Sequence, residues 1–262
     1  MVPTVRPPAV SGSFYPADPR QLEAGVRRYL STAGAQRVGF GIRAMIVPHA
    51  GHIYSGPVAA TGYRLLEDME GLQSILMLGP SHYEWFPGVA LPGVDLMATP
   101  LGEVEVNRDT TVALDASPLV IESPAAHRKE HSLEVQLPFL QIVAPDVPVV
   151  PLLTGDVDAA EVADLIEPFL NEGTFLLVSS DLSHYHTSAV ARQLDATTAA
   201  AIERIEPEVL GRESACGRTG VQAALHLARR RGWRVQTLDL RNSSDTAGPP
   251  DRVVGYGTFA LG

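Results

Sequence analysis

The sequence predicts an α/β protein in which helices flank a mainly parallel or mixed central sheet. Two patterns carry that expectation. Short, continuously apolar runs recur along the chain, as expected of strands covered on both faces, and longer amphipathic stretches of helical period lie between them. A third observation supports one unit: 45% of the 262 residues are hydrophobic, and no repeat, low-complexity tract or Ser/Gly linker divides them. The expectation is a single domain over residues 1–262.

The elements follow in order. The proline-rich start, MVPTVRPPAV, reads as an extended arm. Asp18 followed by Pro19 is an N-cap and first-turn signal that opens a helix through Leu30. Strands are expected at AMIV (44–47), SILML (74–78), VPVVPLL (147–153) and TFLLVSS (174–180), then at WRVQTLDL (233–240) and RVVGYGTFAL (252–261). Helical patterns cover 56–69, 130–143, 158–170, 189–205 and 217–231. The two prolines of VPVVPLL cost ladder hydrogen bonds, which places that strand at an edge or at a bulge.

Composition removes several functions. A formal charge of −10 opposes binding to nucleic-acid phosphates. The one cysteine, Cys216, forms no internal disulfide and fits a reducing, cytoplasmic setting. The N-terminus lacks the apolar core of a signal peptide, and no apolar stretch is long enough for a membrane span. PHAGHIYSG is glycine-rich but lacks the spacing of a nucleotide-binding loop.

Position singles out the polar residues. AMIV runs into His49 and His52, SILML into His82, TFLLVSS into Asp181, His184 and His186, and the 233–240 strand into Asp245. The carboxyl ends of parallel strands share one edge of a sheet, where ligands bind, so these turns are expected to converge. Neutral imidazoles and a carboxylate suit a divalent transition metal, with His49, His82 and Asp245 as the simplest triad. His184 and Asp181 would then serve as general acid/base groups beside it.

In AAHRKEHSLEVQLPFLQ, His127, His131 and Glu134 have helical spacing. They read either as metal ligands or as the start of an amphipathic helix whose core face is Leu133, Leu137 and Leu140. The favoured reading turns His131 and Glu134 into the pocket and leaves His127 on a loop. His52 and His186 are assigned local hydrogen bonds, with ligation as the alternative, and His226 a place on a helix. Cys216, just before a helix, is assigned burial as a small apolar residue, with a reactive or metal-binding thiol as the alternative. Tyr15 and Tyr54 are candidates to border the pocket.

SGSFYPADPRQL, VPHAGHIYSGPVAA, LGPSHY, EHSLEVQLPFLQ, SSDLSHY, CGRTGVQAAL and NSSDTAG with VVGYGTFAL together resemble the Memo-like family, from about Pro7 to Leu261. The resemblance implies the fold of class III extradiol dioxygenases, in which two histidines and a carboxylate hold Fe(II). It places the metal histidines at His49 and His82, the third ligand at Asp245 and the catalytic histidine at His184, beside Asp181. Human-type members carry cysteine at the third position, so aspartate here implies Fe(II) rather than a thiolate-preferring metal. The implied activity is that of a dioxygenase-like, iron-dependent oxidoreductase on an unidentified small-molecule or peptide substrate. A peptide- or anion-binding module and a metal-assisted hydrolase are the alternatives. Bacterial and archaeal members accompany a radical-SAM protein and an AMMECR1-like protein (the AmmeMemoRadiSam set), which implies a shared pathway.

Overall fold

The computed structural model describes residues 2–34 and 36–262. In chain order the strands are β1 (Val5–Arg6), β2 (Ala44–Val47), β3 (Ser74–Pro80), β4 (Val89–Leu91), β5 (Leu96–Thr99), β6 (Gly102–Glu105), β7 (Val120–Glu122), β8 (Val149–Thr154), β9 (Thr174–Ser179), β10 (His184–His186), β11 (Val235–Asn242) and β12 (Val253–Leu261). The helices are α1 (Pro19–Thr32), α2 (His52–Tyr63), α3 (Arg108–Asp115), α4 (Pro124–Arg128), α5 (Leu137–Val143), α6 (Ala159–Ile166), α7 (Ser188–Glu203) and α8 (Arg218–Arg231). As the sequence predicts, the architecture is α/β, and the large sheet is mixed.

That sheet has nine strands. Its centre is the parallel set β2-β9-β3-β8. Antiparallel strands extend it on both sides: β4 beyond β8, and β12 beyond β2, with β11 outside β12. The short strand β10 pairs with the opposite end of β12. A separate three-stranded sheet, β1-β5-β6, docks the N-terminal arm.

Every residue of β2 and β3 is buried, because helices cover both faces. Alternation sorts the side chains between them. Met45, Val47, Ile75 and Met77 pack with α1, α2 and α5, through Leu22, Val26, Ala60, Tyr63 and Phe139. Ala44, Ile46, Leu76 and Leu78 face α6, α7 and α8, through Val162, Ile202, Val221 and Leu225. Asp18 caps α1 by accepting a hydrogen bond from Gln21 N–H, with Pro19 in the first turn.

Three expectations are corrected. First, β8 lies inside the sheet, not at an edge, and Pro151 is buried opposite Met77. The position is tolerated because β4 pairs only with Leu153 and Thr154, while Asn107 N–H bonds Val149 O. Pro151 falls between those contacts, on the side where the ladder needs no donor. Second, the helix expected from Glu130 begins later. Residues 129–133 form a turn, Glu134–Gln136 one 3₁₀ turn, and α5 starts at Leu137. Third, α2 starts at His52, so the turn after β2 is shorter than the 56–69 pattern suggested.

Candidate metal centre

β2, β3 and β9 run parallel, so Val47, Pro80 and Ser179 finish at one edge of the sheet. His49 and His82 follow from the first two strands. His131 arrives from the turn before the Glu134–Gln136 helical turn. These three histidines each offer one ring nitrogen within 4.8 Å of the others. Their ring centroids are 5.3 Å (His49–His82), 5.5 Å (His49–His131) and 4.7 Å (His82–His131) apart.

Hydrogen bonding sets which nitrogen of His49 is free. Ser179 Oγ gives its only proton to Ser132 O and receives a hydrogen bond from Gln136 Nε2. The remaining contact, 2.9 Å to His49 Nδ1, must therefore have the imidazole as donor. His49 is thus protonated on Nδ1, and Nε2 carries a free lone pair. His82 is oriented in the same sense: Nδ1 lies 2.9 Å from Glu130 Oε1, a carboxylate acceptor, which leaves Nε2 available. A carboxylate behind a histidine is a common arrangement around bound metal ions. Glu130 also accepts from the backbone N–H groups of His82, His131 and Ser132, and so ties the β3 turn to the turn carrying His131. His131 Nδ1 is buried with no hydrogen-bond partner.

Burial opposes the charging of His49 and His131. It lowers the His49 pKa to about 3, with His82 adding to the effect, and that of His131 to about 4, with His49 adding. The outward Nε2 atoms of His49 and His82, together with the buried His131 ring whose Nδ1 makes no hydrogen bond and lies 3.4 Å from Glu130 Oε1, form a donor set that fits a divalent cation.

Cys216 also lies at this site, where both readings of it meet: the thiol is buried, and it stands beside a metal-ligand candidate. Its turn, at the start of α8, packs on the end of β9. Asp181 N–H points to Cys216 Sγ at 3.3 Å, and Cys216 N–H returns a bond to Asp181 O at 3.2 Å. The sulfur lies 3.3 Å from His49 Nε2, the nitrogen with the free lone pair. Burial, with Asp181 second, pushes the thiol pKa up to about 12, the reverse of an activated thiolate.

Asp181 is buried, and its Oδ1 accepts the His49 N–H at 2.7 Å. Burial pushes its carboxyl pKa up. His184 begins β10 at the same edge, partly exposed, with its ring centroid 5.6 Å from that of Tyr185. Tyr185 has a φ of 65°, in the left-handed region, and its exposed ring lies 4.4 Å beneath the Arg252 guanidinium.

Asp245 is not in the cluster. It closes a capping box at the end of β11, accepting Asn242 N–H on Oδ2 and pairing with Arg192 through Oδ1. It follows a strand of the correct direction, but β12 stands between β11 and β2. Glu134 also points elsewhere: fully buried, it accepts from Arg6, Ala9 N–H, Val10 N–H and Tyr15 OH, all in the N-terminal arm. The turn at 129–133 separates it from His131, with which a continuous helix would have aligned it.

His127 is buried in α4 and bonded to Ala90 O, rather than on a loop. His52 bonds Val135 O, a partner distant in sequence. Tyr15 is buried against Glu134 and does not border the site. No helix among the described residues is long and apolar enough to cross a membrane.

Comparison with known proteins places this geometry among relatives. The family profile described as Memo-like protein matches residues 6–260. A MEMO1 family protein of Archaeoglobus fulgidus is 37% identical, with 96% of this chain and 97% of that protein covered. One from Saccharolobus solfataricus is 33% identical at the same coverage, as is one from Aquifex aeolicus. The crystal structure of an uncharacterised protein from Escherichia coli K12 superposes with a TM-score of 0.53 at 13% identity. It covers 82% of this chain and 99% of its own, a likeness of fold.

Proposed function

The chain belongs to the Memo-like family, and from that premise we propose that it is a metal-dependent, dioxygenase-like oxidoreductase whose ion is held by His49, His82 and His131. The observation that carries this reading is the unprotonated Nε2 of His49 and of His82, each fixed by a hydrogen bond that the ring Nδ1–H donates, to Ser179 Oγ and Glu130 Oε1 respectively. His131 supplies the third nitrogen, and Cys216 Sγ is a further donor beside His49. Fe(II) is the ion proposed, following the relationship to extradiol dioxygenases. The carboxylate expected in the ligand set is absent from the cluster, so the imidazole and thiol donors carry the selectivity. A bound divalent ion supplies Lewis acidity and open coordination positions.

The other groups have roles the chain provides. Asp181 holds the backbone of His49 in place. His184, partly exposed at the same edge, would hold or move a proton beside a bound substrate. A second reading, metal-assisted hydrolysis, is favoured by the donor set itself, because three imidazoles also suit a water-activating ion.

Reconstitution without oxygen, followed by metal analysis, tests the ligand set. One Fe(II) per chain is expected in the wild type and in Asp245→Ala, and loss of it in His82→Ala and His131→Ala. Retention in His131→Ala with loss in Asp245→Ala would restore the triad read from sequence, and equal content in all four would remove the site. Oxygen consumption during turnover separates oxidation from hydrolysis.

A further inference from the structure

The reading of the site leaves one buried ion pair unused. Arg6 and Glu134 are 5% and 0% exposed and 2.7 Å apart, one in the N-terminal arm and the other just after the turn that carries His131. Arg6 does more than neutralise Glu134. Its Nε donates to His127 O at 2.7 Å and its Nη2 to Glu130 O, so three acceptors on one guanidinium all belong to residues 127–134. The planar fork of arginine spans three divergent acceptors in a way a lysine ammonium does not. The turn at 129–133 is held by few backbone bonds, chiefly Glu130 N–H to His127 O and Val135 N–H to His131 O, and the arm adds a side-chain donor to the carbonyls of His127 and Glu130.

The arm also reaches the opposite wall. The Phe14 ring lies 4.7 Å from that of His131, and Phe14 O accepts the His52 N–H at the start of α2, three residues after His49. One segment therefore braces both the turn bearing Glu130 and His131 and the turn bearing His49.

We infer that the N-terminal arm, through Arg6, is a positioning element of the metal site, and that the third histidine and the Glu130 carboxylate reach their places only when the arm is docked. This rests on the assignment of His49, His82 and His131 as ligands. Arg6 touches no ligand ring; it acts through the backbone of the turn. The link explains why a charged pair is retained in the interior, where an apolar replacement is often no less stable.

The test uses the full-length protein and Co(II) as probe. Arg6→Met is expected to weaken Co(II) binding roughly tenfold or more, the scale of outer-shell changes at metal sites. It is also expected to alter the visible Co(II) spectrum and to lower hydrogen-exchange protection at the His131 and Ser132 amides. Asp18→Ala, which removes the α1 cap, is the destabilised control whose affinity and spectrum stay at wild type. Arg6→Met with wild-type affinity, spectrum and protection would overturn the inference. If Arg6→Met does not fold, Arg6→Lys decides by the same readouts, because it keeps the charge and loses the fork. Absence of Co(II) binding by the wild type would instead remove the ligand assignment, and exchange at His131 and Ser132 alone would then judge the arm.

Discussion

Cys216 Sγ and His49 Nε2 lie 3.3 Å apart, although 167 positions separate them in the chain. The contact joins the only thiol of the protein to the unprotonated ring nitrogen of His49. Loading with Co(II) is expected to produce the near-ultraviolet charge-transfer absorption of a metal thiolate, with release of the thiol proton. Cys216→Ser should abolish that band while the visible Co(II) bands persist. The same absorption in wild type and variant would place the sulfur outside the coordination sphere.

Glu130 accepts four hydrogen bonds, three of them from backbone N–H groups and one from His82 Nδ1. Glu130→Gln preserves size but turns an NH2 group toward donors. Metal affinity is expected to fall by about 10–100-fold, as when the outer partner of a ligating histidine is removed. Competition against a chelator of known affinity measures it.

Acid should destabilise the protein before its carboxylates titrate. His52 and His127 are neutral and buried, and burial lowers each pKa to about 4 from the ordinary 6.5. The unfolded chain therefore binds more protons between these values. The stabilisation is complete above pH 6.5 and is lost as pH falls toward 4, by about a few kcal/mol in all. Urea unfolding at pH 7.5, 5.5 and 4.5 follows the loss. His127→Gln, which can still donate to Ala90 O, should flatten part of the slope.

Gly217 brings the start of α8 against the end of β9. A Cβ there would sit 2.6 Å from Ser179 O and 2.7 Å from Ser180 Cβ. Gly217→Ala must push the turn outward, at a cost of roughly 1–3 kcal/mol. A lowered melting temperature together with a changed Co(II) spectrum is expected, because Cys216 and Ser179 lie on either side of the contact. A shift in stability with the spectrum unchanged would separate packing here from the site.

Much of the frame was legible in the sequence because β2, β3 and β9 are covered on both faces and therefore read as unbroken apolar runs. The polar residues that follow them reach the same edge for the same reason, which made His49 and His82 visible. Position along that edge was not legible. Asp245 follows a strand of the right direction, yet it stands on the far side of β12, and strand order leaves no mark in local pattern. Glu130 looked like an ordinary acidic residue at a helix start, since its role depends on a turn that interrupts the helical period. Cys216 arrives by the packing of α8, a long-range event. The short strands β4 to β7 and the helices α3 and α4 were missed, as their few residues are too short for periodicity to register.

The position of β12 bears on how the protein is made. β11 joins the sheet through β12, and β12 lies against β2, which precedes it in the chain by about 200 residues. On the ribosome, β2 and the turn carrying His49 must wait with an open flank until β12 emerges. Closure of that side is a late event, and the non-local pairing makes it a slow one. Pulse-labelled chains stalled before residue 253 should therefore be protease-sensitive at the His49 turn and should retain no metal on release.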